Sequence, residues 1–237
     1  MTPILRLIAI LTTALLLAGC GAPSPRASAP AEPLSLLPSA DAFTSAVVAT
    51  KSLGTARLTV DATHPEGARS AHGEGVTVLG SGQGDMTWSV NGTTFRELVN
   101  ARGIYVQAPP QSGGWEQWPV THVSQTSGLV DSLRGLGVLH DVVDEGSEQL
   151  GSVETTRYRG WLPLTKDESA RLGLGGTPSA DAREDVTVWI DSFGHAVRVD
   201  RHASTDADSV SSRTEFSDFS VLLNLTSPSH DVTATRG

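Results

Sequence analysis

From residue 39 onward the spacing of apolar residues changes period several times, and each change marks an element. Ser39 precedes apolar positions at Phe43, Ala46, Val47 and Leu53, which share one face of a helix that Gly54 ends. Ala56, Leu58, Val60 and Ala62 then alternate with Arg57, Thr59, Asp61 and Thr63, the pattern of a half-buried strand. A second strand is expected over 73–80, and the glycine-rich turn 80–84 leads into a third carrying Met86, Trp88 and Val90. Asn91-Gly92 suits a tight hairpin turn and is followed by strands over 93–99 and 103–108.

The second half is less regular. Residues 109–119 break the alternation and place Trp115 and Trp118 in a loop or an edge strand. Leu129, Val130, Leu133 and Leu136 have helical spacing, weakened at the end by Gly135 and Gly137. A strand is expected over 151–161, and Thr165 with Glu168 forms a capping box for a short helix over 166–172. Val186, Val188 and Ile190 turn through Asp191-Ser192-Phe193-Gly194 into Val197 and Val199, and a last strand over 213–223 carries Phe216, Phe219 and Val221. One helix followed by strands on short connections points to an α+β fold with a single curved antiparallel sheet rather than β-α-β units.

Ahead of this region, Arg6 and the apolar run 7–17 have the length of an export signal, too short to span a bilayer. Leu17-Ala18-Gly19-Cys20 follows, and this pattern resembles the lipobox of bacterial lipoproteins, in which the thiol receives a diacylglyceryl group before cleavage. Residues 1–19 are therefore expected to be a lipoprotein signal peptide, with Cys20 lipidated. Residues 20–38 are rich in Pro, Ala and Ser and read as a disordered tether. The folded domain is expected over 39–228 and a flexible tail over 229–237. Two or three acyl chains hold a protein durably on a membrane where one does not. The predicted location is the extracytoplasmic face of the cell membrane.

A formal charge of −9 without a cluster of Lys and Arg argues against a nucleic-acid partner. The chain has one cysteine, Cys20, which excludes an internal disulfide and any cysteine-based zinc site. The histidines lack metal-ligand spacing, and no Gly-x-Ser-x-Gly elbow offers a nucleophile. Asp200, Asp206 and Asp208 lack the glycine and terminal Glu of a calcium loop. Gly80-x-Gly82-x-Gly84 has no following Lys and is flanked by strands, so it reads as a turn and not a phosphate loop. No catalytic group, metal site or cofactor is expected.

What remains is an apolar face made by Leu58, Val60, Met86, Trp88, Val90, Ile104, Val106, Val186, Val188, Val197 and Val199. Alternation alone leaves two alternatives open: the filled core of a closed domain or the wall of a cavity. Trp115 and Trp118 suit the rim of such a cavity, where an amphipathic ring meets both apolar surface and water, and equally suit the closure of a sheet edge.

The order of features resembles the LppX and LprG lipoproteins of actinobacteria, relatives in fold of LolA and LolB. The resemblance rests on the lipobox, the Pro-rich tether, Thr55-Ala56-Arg57-Leu58-Thr59-Val60, and the stretch Gly151-Ser152-Val153-Glu154-Thr155-Thr156-Arg157-Tyr158-Arg159-Gly160. It continues through Val188-Trp189-Ile190-Asp191 with Gly194 and Phe216-Ser217-Asp218-Phe219, and covers about residues 39–228. It implies a strongly curved antiparallel sheet, a half-barrel, with helices packed on its concave face around an apolar cavity for acyl chains. The implied function is non-enzymatic: binding a lipid or acylated glycolipid and helping to carry it across the envelope, with a membrane exporter as a possible partner. The alternative is a surface-displayed interaction module with a filled core.

Overall fold

The computed structural model describes residues 39–64, 70–107, 114–118, 131–228 and 232–234. Cys20, the signal peptide, the tether, Leu129, Val130 and most of the tail lie outside the described residues.

Helix α1 spans Ser39–Ser52, with Asp41 in its first turn and Lys51 in its last, charges that complement the helix dipole. Gly54, at φ +80°, stops it and starts β1 (Thr55–Thr63). An antiparallel meander follows: β2 (Ser70–Val78), β3 (Gln83–Val90), β4 (Thr93–Asn100), β5 (Gly103–Gln107) and β6 (Trp115–Trp118). The β3–β4 turn is the expected Asn91-Gly92 pair, with φ of 50° and 82°. A second meander contains β7 (His140–Leu150), β8 (Val153–Pro163), helix α2 (Lys166–Arg171), β9 (Arg183–Asp191), β10 (Ala196–Ser204) and β11 (Ser209–Ser217). Thr165 caps α2 by accepting the Glu168 N–H, as its capping box predicts. A short β12 (Val232–Ala234) lies parallel to β6, the only parallel pair among the described residues.

The strand order is β12-β6-β5-β4-β3-β2-β1-β11-β10-β9-β8-β7, so β1 and β11 join the two meanders at the centre. Among the described residues the result is one large, curved, unclosed sheet with two α-helices, in line with the predicted half-barrel. The central strands bury chiefly one face. Register places Leu58 beside Gly75 and Phe216, Val60 beside Gly73 and Thr214, and Val199 beside Val188, all on a single inner face. Phe43, Ala46 and Val47 of α1 join that face in one buried cluster, together with Leu133 and Leu136. Side chains of this size contribute about 1.5–3 kcal/mol each when removed from water. Thr50 ties the helix to the sheet: its hydroxyl donates to Ala46 O and accepts from Ala196 N–H at 2.8 Å. A smaller cluster of Leu164, Leu172, Leu174, Ala203 and Val210 packs α2 and the segment after it against β10 and β11.

Three expectations need correction. The described part of the predicted 129–136 helix, residues 131–136, is a series of turns ending in a 3-10 turn at Leu136–Val138. Gly135 adopts φ +72°, a left-handed conformation that a right-handed helix excludes. The last strand ends at Ser217 rather than running to 223, because Asp218 (φ 44°) and Ser220 (φ 62°) turn the backbone out of the sheet. The third concerns Val197. A register shift between Ala196 and Arg198 makes it the extra residue of a bulge, and Ala196, fully buried, takes the inward place instead.

Candidate functional site

Two surfaces stand out, one on each face of the sheet. The inner face carries the residues expected to line an apolar site. Leu58, Val60, Met86, Trp88, Val186, Val188 and Val199 are all buried and belong to the main cluster. Ile104 is also buried. Val90 and Val106 are half-buried, and Val90 packs against the cluster's margin beside Phe95. On this face burial is most complete on β1 and β8–β11, whereas on β4 and β5 Phe95, Val99 and Val106 are half-buried beside the buried Glu97 and Ile104.

Two glycines shape the middle of this face. A Cβ on Gly73 would stand 2.4 Å from the Trp88 ring, and one on Gly75 would stand 2.7 Å from the Met86 sulfur. Glycine in a strand interior forgoes packing of its own, and here it lets the larger side chains of β3 lie across β2. The benzo edge of Trp88 rests on Gly73, so its indole N–H points away from β2.

The inner face is not wholly apolar. Register brings Glu97 inward beside Met86 and Val106, and the side chain is buried. Glu184 and Arg201 also point inward, in line with Val186 and Val199 respectively. They form a buried ion pair at 2.9 Å. Arg201 further donates to Ser132 O and Arg134 O, while Ser132 Oγ meets Thr214 Oγ1 at 2.6 Å. Arg134 pairs with Glu168 of α2, and burial holds its guanidinium below the ordinary arginine range. This network fastens residues 131–134 across the sheet. Glu184 and Arg201 were not singled out in the sequence, although their parity with Val186 and Val199 places them on the buried side.

On the outer face Trp189 and Trp161 are each satisfied by a carboxylate, Trp189 Nε1–H on Glu148 at 2.9 Å and Trp161 Nε1–H on Asp141 at 2.8 Å. Arg198 stacks 4.5 Å above the Trp189 ring. Burial raises the Asp200 carboxyl, but hydrogen bonds from Arg198 and Arg213 outweigh it and hold the group below its usual range. Asp208 receives Gly175 N–H and Ser209 N–H. These aspartates are thus committed to turns and ion pairs, and no group of three metal-ligating side chains occurs among the described residues.

After Ser217 the chain crosses the outer face. Ser220 N–H donates to Thr55 O, Thr55 Oγ1 donates to Val221 O, and Asn100 Nδ2 donates to Leu225 O. Beneath this strap lies an open groove of ≈ 940 Å³ bordered by Arg57, Glu74, Asp85, Arg96 and Trp115. Its cations are already engaged, Arg57 by Asp218 and Arg96 by both oxygens of Asp85.

The two candidate rim residues do not share a surface. Trp118 pairs with Ile104 and faces inward, whereas Trp115 lies on the outer face under Arg96, 5.5 Å from ring to guanidinium. Both are half-buried. No helix among the described residues is long and apolar enough to cross a membrane.

Compared by sequence, the chain matches no protein-family model and no curated protein. Compared by structure, it is similar to lipoprotein LppX of Mycobacterium tuberculosis, at 17% identity and TM-score 0.51, covering 78% of this chain and 99% of that one. It is also similar to LprF of Mycobacterium bovis, at 15% identity and TM-score 0.55, covering 80% of this chain and 96% of that one. The curved, unclosed sheet with its single apolar face is therefore the LppX-like fold that the sequence resemblance implied.

Proposed function

We propose that the chain is a non-enzymatic envelope lipoprotein, anchored through Cys20, that binds a lipid or acylated glycolipid against the inner face and helps to carry it across the envelope. The observation that supports this most is the large apolar cluster on the inner face of a sheet that, among the described residues, does not close on itself. In this reading α1 and the 131–138 segment cover the concave side, and acyl chains lie against the half-buried Val90 and Val106, beside Ile104. Drawing a sixteen-carbon chain into water costs about 12 kcal/mol, so a carrier needs an apolar surface that replaces most of that contact. The fold of LppX and LprF and the lipobox of the sequence agree with it.

A second reading, an interaction module with a filled interior, is favoured by the way Trp88 and Met86 fill the space above Gly73 and Gly75. Mass spectrometry of organic extracts from the purified full chain separates the two. A carrier yields a stoichiometric acyl lipid, and an extract with no lipid above background leaves only the interaction module.

A further inference from the structure

Trp88 is completely buried on the inner face, yet its indole Nε1–H has no hydrogen-bond partner among the described residues. Buried indole donors are normally satisfied, and leaving one unmade is costly. Two outer-face tryptophans follow that rule, since Trp189 and Trp161 each donate to a carboxylate. The exception sits in the middle of the apolar face, with its benzo edge on Gly73 and its donor edge turned away from β2. We propose that Trp88 Nε1–H is the polar anchor of the lipid site and donates to an ester carbonyl of an acyl lipid. The inference rests on the lipid-binding reading and gives it a chemical class.

The surroundings select among oxygen acceptors. Met86, Phe95 and Val60 surround this position by strand neighbourhood and register, so the acceptor must be one that accompanies hydrocarbon. An anionic carboxylate or phosphate would have to shed its water among these apolar side chains, so a neutral acceptor is favoured. A hydroxyl would accept the indole proton but would bring a donor of its own that again needs a partner. An ester carbonyl accepts and brings none.

The test compares dipalmitoylglycerol with its diether analogue, di-O-hexadecylglycerol, which has the same chains and free hydroxyl but no carbonyl. Affinities are read by displacement of a dansyl-labelled fatty acid from the full-length Cys20→Ala chain. The ester should bind about threefold to tenfold more tightly than the ether, the range of one neutral hydrogen bond. Trp88→Phe should bind both at the ether's affinity. A readout that needs no variant is the indole ¹⁵N–¹H spectrum, in which one tryptophan resonance should move downfield with the ester and stay in place with the ether. Equal binding of both probes with no indole shift would overturn the anchor and leave lipid binding intact. Failure of both probes to displace the dansyl acid, or of that acid to bind at all, would remove the lipid-binding reading and the anchor with it.

Discussion

His72 shows how single residues on the polar face are tuned. Its ring lies between Asp61 at 2.8 Å and Glu74 at 3.2 Å, and the bond to Asp61, then that to Glu74, raises its pKa above the ordinary 6.5. A raised histidine pKa contributes stability below the unfolded value, and that contribution disappears as pH rises through the folded value. Because all three side chains are largely exposed, the effect on stability is small and screened by salt. The titration itself is the sharper readout: by NMR the His72 midpoint should lie above 6.5, and Asp61→Asn should bring it down. An unshifted midpoint in the wild-type protein would contradict the geometry. At this scale the sequence was partly legible. Alternation assigned Leu58, Val60, Met86, Trp88, Val186, Val188 and Val199 to the buried side, where they are found. It misplaced Val197, because a bulge leaves no trace in the pattern of apolar and polar residues, and it passed over Arg201 and Glu184 because a charged residue reads as exposed until its partner is known.

Among the elements, the segment 131–138 depends most on tertiary context. It has no regular backbone pattern of its own beyond the turn at Leu136–Val138, and it is held by Leu133 and Leu136 below and by Arg201, Glu184 and Thr214 at its start. Replacing one member of a buried pair leaves the other charge uncompensated, so Arg201→Met should destabilise the fold by about 3–5 kcal/mol in urea denaturation. The same variant should raise amide exchange over residues 131–134 more than over β1–β4. A loss within about 0.5 kcal/mol would mean that the pair does not secure the segment. Helical spacing in 129–136 was misleading for a physical reason: buried leucines at such intervals also suit a chain that crosses a sheet in turns. Strand β7 was not legible either. It is an edge strand exposed along most of its length, so it shows no alternation. Bulges after His140 and Asp144, together with Asp141, Glu145 and Glu148, blunt that edge against pairing with other chains.

For the molecule as a whole, the helix-then-meander order was readable because short turns such as Asn91-Gly92 force sequential strands to become neighbours. What no local pattern carries is which strands from the two meanders meet, or that the C-terminal strap crosses the outer face. The anchor proposed at Cys20 is a whole-molecule property, since it places the sheet at a membrane without adding any contact to the fold. Cys20→Ala should move the protein from the membrane fraction to the soluble extracytoplasmic fraction with unchanged thermal stability. Retention of that variant on membranes would refute the anchor.

The central seam between β1 and β11 joins Leu58 to Phe216, residues from opposite ends of the folded region. A polypeptide delivered from its N-terminus cannot close that seam until its last major strand has arrived, and pairing so distant in sequence is slow to nucleate. The first meander must wait with its greasy side unpartnered, an interval in which a holding chaperone is useful.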